Sequence, residues 1–179
     1  MKQVLHIARM GHPVLRQPAT PVDPSRLKES EFQDFIDSML LTMHEYEGVG
    51  LAGPQVHESI QLAVLEIPGS DDRSRAEVPF TVLVNPTITP LGNEGENGWE
   101  GCLSIPDLRG VVPRLKQLRL EALDRDGKRF SLEASGFFAR VIQHECDHLG
   151  GHVYLDRMSD MKSLTFIKEF EAHVHQDEE

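Results

Sequence analysis

Gln143-His144-Glu145-Cys146-Asp147-His148-Leu149 holds a His-Glu-x-x-His pattern inside a run whose apolar residues keep helical time. On an α-helix, residues four apart lie one above the other, so His144 and His148 can offer their imidazoles to a single metal ion. Glu145 lies about 100° further round the axis, at the margin of that face, where a carboxylate can hold a water without ligating. Two surface histidines on a polar helix would give the same short pattern, but the surrounding residues argue otherwise. Taking His144 as zero, Phe137, Val141 and His148 fall within about 60°, while Phe138, Ile142 and Leu149 cluster at roughly 120 to 160°. One stripe faces the metal and the next faces a core. Gly136 ahead of the run and Gly150-Gly151 behind it bound a helix of roughly four turns, closed by a left-handed glycine. Cys146 falls near 200° by the same count, about opposite the histidines, and reads as a small packed residue.

The remaining chain supplies what such a helix packs against. Phe32, Phe35, Ile36, Met39, Leu40 and Met43 share one helical face, which predicts a helix from about Ser25, just after Pro24, to a stop at Gly48. Residues 60–67 and 80–84 are rich in aliphatic and β-branched side chains and read as strands. Leu118, Leu120 and Ala122 alternate, Asp124-Arg125-Asp126-Gly127 supplies turn chemistry, and Phe130, Leu132 and Ala134 alternate again, giving a hairpin. Leu164, Ile167, Phe170 and Val174 recur at helical spacing near the end. The fold class expected is α+β: antiparallel sheets packed around a central metal-binding helix, with an N-terminal helix and a C-terminal helix. With 179 residues and 39% hydrophobic content, one core and one domain over residues 1–179 suffice.

Composition narrows the function. No stretch of about 18 apolar residues occurs, so no membrane span is expected, and the chain reads as soluble and cytoplasmic. Two cysteines without a secretory signal leave thiols free for metal instead of a disulfide framework. The net charge of −11 disfavours direct binding to nucleic acid. Residues 160–179 set Lys162 and Lys168 against six carboxylates, so any ribosome association is expected to be transient at most.

Two histidines hold a metal weakly, and a third ligand is needed. Cys102 lies in Glu100-Gly101-Cys102-Leu103-Ser104, a segment too broken by Gly98, Gly101 and Pro106 for a helix; a buried apolar thiol is its plain alternative. Glu169 and Glu171 lie downstream at about the spacing from which thermolysin-like proteases take a glutamate. From spacing alone both stay open. Gly48-Val49-Gly50-Leu51-Ala52-Gly53-Pro54-Gln55, with three glycines and a proline, reads as a loop where another backbone approaches closely.

Together these three segments, in this order and at these separations, resemble the three signature motifs of the peptide deformylases. The resemblance extends to Pro13-Val14-Leu15-Arg16 near the start. It implies removal of the formyl group from N-formylmethionyl peptides and nascent chains. It also implies that Cys102, His144 and His148 hold one divalent ion, commonly Fe2+, with Ni2+ or Co2+ as substitutes, whereas ligand softness by itself suits Zn2+. Glu145 would move the proton of a water at that ion, and the Gln55 amide and Leu103 backbone N–H would face the formyl oxygen. Val49, Gly50 and Gly101 would bind the peptide backbone as if it were an added strand. For the methionine pocket, the helical stripe and the resemblance agree on Phe137 and Val141 beside the His144 ring. Arg140, about 40° off that stripe, is given no role by either, and a solvated side chain is its plain reading. Where the family usually has Leu-Ala-Ala-Pro-Gln, this chain has Leu51-Ala52-Gly53-Pro54-Gln55, and the glycine is expected to loosen the loop by roughly 0.5 to 1 kcal/mol.

Two rival functions are weaker. A zinc endopeptidase using Glu169 or Glu171 leaves the first two motifs unexplained. A noncatalytic paralogue would have lost Glu145 or Gln55, and both are present.

Overall fold

The computed structural model describes residues 2–69 and 76–173. Helix α1 (Ser30–Glu45) is followed by strands β1 (Gly50–Ala52), β2 (Leu62–Ile67), β3 (Val78–Pro90), β4 (Gly95–Cys102), β5 (Ile105–Leu115), β6 (Gln117–Leu123) and β7 (Arg129–Ser135). Helix α2 (Gly136–Leu149), the short strand β8 (Thr165–Phe166) and helix α3 (Ile167–His173) complete the order. The strands form a five-stranded sheet in the order β1-β2-β3-β6-β7 and a three-stranded sheet in the order β4-β5-β8, antiparallel throughout. The expected α+β class is the one observed.

The continuous apolar run of β2 has a direct cause. Successive strand side chains point to opposite faces, and both faces of β2 are covered. Leu62 and Val64 pack with Phe32, Ile36, Met39 and Met43 of α1, whereas Ala63, Leu65 and Ile67 pack with Ala139, Val141 and Ile142 of α2. The hairpin β6–β7 is covered on one face alone, and there Leu118, Leu120 and Ala122 alternate with exposed Arg119 and Glu121. Its turn is held by the Asp124 carboxylate, which accepts from the backbone of Asp126 and Lys128 at 2.9 Å each, with Gly127 at φ 80°. Helix α2 packs against both sheets. It is fixed to β5 by the Gln143 side-chain amide, which accepts from Leu115 N at 3.0 Å and donates to Leu115 O at 2.9 Å.

Two expectations, both about α1, need correction. Helix α1 starts at Ser30, because Pro24–Lys28 forms a separate 3-10 turn capped by Asp23 and the chain is extended at Glu29. It ends at Glu45, and the left-handed residue after it is Glu47 (φ 53°), with Gly48 N bonding back to Met43 O at 2.8 Å. The hairpin β4–β5 was not legible in the sequence, although it carries Cys102. At the other end, α2 closes as expected, with Gly151 left-handed at φ 78°. The C-terminal helix exists as Ile167–His173, preceded by Leu164 outside it; Val174 and the residues after it lie outside the described residues.

Candidate active site

Helix α2 sets His144 and His148 one turn apart, with ring centroids separated by 5.0 Å. The last residue of β4 brings Cys102 against them, its Sγ 3.3 Å from His148 Nε2. One ligand atom from each of the three lies within 4.8 Å of the others, and among the described residues no other trio of such groups is arranged to hold a metal. Burial works to raise the Cys102 thiol, yet the charge and hydrogen bonds of His148 and His144 hold it well below its ordinary value, favouring the thiolate. Glu169 is elsewhere: it lies on exposed α3 and faces His173 at 3.4 Å. Glu171 is likewise exposed. Cys146 is partly buried against the core, where burial pushes its thiol up to about 12.

Glu145 is 3% exposed. Burial raises its carboxyl to about 7, against the opposing pull of His144 and His148. Its Oε2 is buried and has no hydrogen-bond partner among the described residues. Gly50 explains how the carboxylate fits, because a Cβ there would collide with it. Gln55 sits in the buried 3-10 turn Gly53–Val56. Its Oε1 accepts from Ala52 N at 2.8 Å, which aims the NH2 group at Cys102 Sγ (3.4 Å) and Ser104 Oγ (3.3 Å). At Gly53 a Cβ would lie 2.8 Å from Glu58 O and 3.0 Å from Ile60 O. Its missing side chain permits a close backbone approach.

Behind the trio lies a network of buried charge that the sequence reading missed. Glu100 Oε2 is 2.9 Å from His144 Nδ1. Arg114 grips the same carboxylate with two bonds, Nε to Oε1 at 2.9 Å and Nη2 to Oε2 at 3.0 Å, and Arg140 Nη1 donates to Oε1 at 2.9 Å. Burial alone would raise Glu100, but the hydrogen bonds from His144 and Arg114 bring it down to about 2. Arg140, which helical phase alone left unplaced, is therefore not a solvated side chain; it is 8% exposed. A strand reading of residues 95–102 would have shown Glu100 and Cys102 pointing to the same side.

These residues border a cavity of about 600 Å³. Val49, Gly50, Gln55, Gly101, Leu103, Phe137, Val141 and Glu145 all line it, as do Cys102 and His144; His148 is fully buried behind them. Trp99, Arg109 and Ile167 add walls that spacing did not point to. The strands on either side, β1 and β4, are each the edge of their sheet.

Comparison with known proteins points to one family. A family profile described as Polypeptide deformylase matches residues 4–164. The chain is 48% identical over 163 residues to "Peptide deformylase 2" of Pseudomonas putida, covering 90% of this chain and 92% of that protein. It is 47% identical over 163 residues to "Peptide deformylase 1" of Bordetella pertussis, again covering 90% and 92%. A Met-Ala-Ser-bound crystal structure of a class I type b peptide deformylase from Acinetobacter baumannii superposes with a TM-score of 0.83 at 35% identity, over 88% of this chain and 100% of that one. The peptide deformylase of Thermotoga maritima gives 0.79 at 34% identity, over 88% and 99%.

Proposed function

The chain belongs to the polypeptide deformylase family, and from that membership we propose a division of labour among the residues of its cavity. The activity is metal-dependent hydrolysis that removes the formyl group from the N-terminal formylmethionine of newly made polypeptides. In our reading Cys102, His144 and His148 would hold one divalent ion, the donor set of one thiolate and two imidazoles suiting such a metal. When bound, the ion supplies Lewis acidity and lowers the pKa of a water at the site.

Glu145 takes the proton from the attacking water and returns it to the leaving amine. A carboxyl raised to about 7 suits a group that must both accept and donate near neutrality. The observation that carries this role is the buried, unpartnered Oε2, which leaves the carboxylate free to hold a water beside the three ligand atoms. The Gln55 NH2, oriented by the commitment of its own carbonyl to Ala52, and the Leu103 backbone N–H stabilise the charge that develops on the formyl oxygen.

Substrate backbone adds alongside Val49 and Gly50 on one edge and Gly101 on the other, which tolerates most sequences because main chain is read. The methionine side chain enters between Phe137, Val141 and the His144 ring. The Acinetobacter relative carries Met-Ala-Ser, a peptide with the same first residue. Ligand softness accommodates Zn2+, while the resemblance favours Fe2+ as the native ion, with Ni2+ or Co2+ able to substitute.

We further propose that residues 1–179 act as a single catalytic domain in the cytoplasm, meeting nascent chains with at most transient ribosome contact and without direct nucleic-acid binding. No helix among the described residues is long and apolar enough to cross a membrane. Glu145→Ala tests the assignment. It should keep one ion per chain, because the ligands remain, and lose about 10² to 10⁴ in turnover of formyl-Met peptides. Turnover near the wild-type rate would place the base elsewhere. Glu169→Ala and Glu171→Ala should keep both ion and turnover.

A further inference from the structure

We infer that Arg140 is a positioning residue for the metal centre, a guanidinium bolt that fixes the α2 ligand His144 relative to the β4 strand carrying Cys102. The inference rests on reading His144 and Cys102 as metal ligands. Arg140 lies one turn before His144 on α2, so its side chain leaves the helix on nearly the same face. Its Nη1 donates to Glu100 Oε1 at 2.9 Å, to Val112 O at 2.8 Å and, more loosely, to Gly98 O at 3.3 Å. Its Nη2 donates to Glu96 O at 2.7 Å. One side chain thus ties α2 to the main chain of both β4 and β5 and to the carboxylate that meets His144 Nδ1. An imidazole whose Nδ1–H is committed to a carboxylate presents Nε2 in a set tautomer and direction.

Arg114 makes a second tie, further along the helix. It holds Glu100 from β5 and is also drawn to Asp147 near the far end of α2. With both guanidiniums present, Oε1 takes one bond from each, and Oε2 is shared by Arg114 and the imidazole, so the carboxylate has no free rotation left.

An independent feature of β4 points the same way. A Cβ at Gly98 would lie 2.8 Å from both Cζ and Nη2 of Arg140. Glycine stands in the middle of a strand, where it weakens the strand, at the place where the guanidinium passes. Because the colliding atoms are the end of a long side chain, Gly98→Ala would displace the guanidinium without deleting it.

The test measures Co2+ affinity by chelator competition, the visible spectrum of the Co2+-loaded protein, and the thermal stability of the metal-free protein. The variants are Arg140→Lys, Arg140→Met, Gly98→Ala and, as control, Cys102→Ala. Loss of an outer partner of a metal-bound histidine weakens metal binding about 10- to 100-fold, and Arg140→Lys and Arg140→Met should do so while shifting the Co2+ bands. Gly98→Ala should move affinity and spectrum in the same direction with Arg140 still present. If the folded variants bind Co2+ within about twofold of wild type with unchanged bands, Arg140 only props up the strands and the inference fails, whatever happens to thermal stability. Should Arg140→Met not fold, the lysine and Gly98 variants decide. If Cys102→Ala keeps its Co2+, the ligand assignment itself has failed, and the role of Arg140 falls with it.

Discussion

Helices α1 and α2 lie on opposite faces of the same sheet and are close in length, 16 and 14 residues. What they bury is different in kind. Helix α1 buries Phe32, Ile36, Met39 and Met43, and its two buried polar residues, Ser38 and Thr42, turn their hydroxyls onto main chain one turn back while accepting from Gln3 N and Leu5 N. Helix α2 buries Arg140, Gln143, His144, Glu145 and His148. Burying charge is costly unless it is paired and hydrogen-bonded; Arg140, Gln143 and His144 have oxygen partners and His148 Nε2 meets Cys102 Sγ, whereas Glu145 Oε2 and His148 Nδ1 have no partner among the described residues. The contrast teaches that α1 holds the sheet together, whereas α2 keeps a buried, charged arrangement in place and is itself held by ion pairs and amide bonds. Glu145, whose Oε2 has no partner among the described residues, is the carboxylate to which we assign the proton transfer.

The contrast breaks first if the stabilising helix proves to be catalytic. Ile36→Ala should cost about 2 to 5 kcal/mol in denaturant unfolding, through lost burial and a cavity. The folded fraction should keep its Co2+ affinity and its turnover per bound ion. A loss of turnover beyond the loss of folded protein would show that α1 shapes the site.

A smaller effect is expected on the cavity side of α2. Val141→Trp should fill the wall beside His144 and raise KM for formyl-Met peptides by roughly tenfold, in line with the ~1 to 3 kcal/mol that pocket shape controls. A substrate with a small first side chain should be less affected. Equal loss on both would mean that Val141 belongs to the core of α2 and not to the pocket.

The smallest effect separates surface charge from buried charge. Asp37 of α1 is held below its usual value by hydrogen bonds from Lys2 and then Arg125, against a modest burial effect. A depressed folded-state value stabilises the protein above the unfolded carboxyl value and is lost as pH falls through the folded one. Since Lys2 is largely exposed, Asp37→Asn should cost only about 0.2 to 1 kcal/mol at pH 7. The difference from wild type should shrink as pH falls below the unfolded carboxyl value and vanish once it has passed the depressed folded-state one. A cost that persists there would be packing, not charge.

The metal helix was legible because its periodicity, its motif and its closing glycine agree, and the tertiary structure adds nothing that competes with them. Strand β2 was legible because both of its faces are apolar. Hairpin β4–β5 was not, since Gly98 and Gly101 interrupt the strand pattern. Both stand where guanidiniums pass, those of Arg140 and Arg109, and that crowding exists only once α2 and β5 are in place. Arg140 was illegible for the same reason: helical phase puts it near the metal stripe, but nothing local says that Glu100 waits there. The start of α1 was misjudged because Pro24, read as opening the helix, opens a separate 3-10 turn instead.

X-ray absorption at the metal edge of the zinc-loaded protein tests the central claim most directly, because it counts the ligands that α2 and β4 bring together. The expected first shell contains one sulfur at about 2.3 Å and two imidazole nitrogens at about 2.0 to 2.1 Å. A shell of nitrogen and oxygen alone, with no sulfur, would remove Cys102 from the ion and contradict the account.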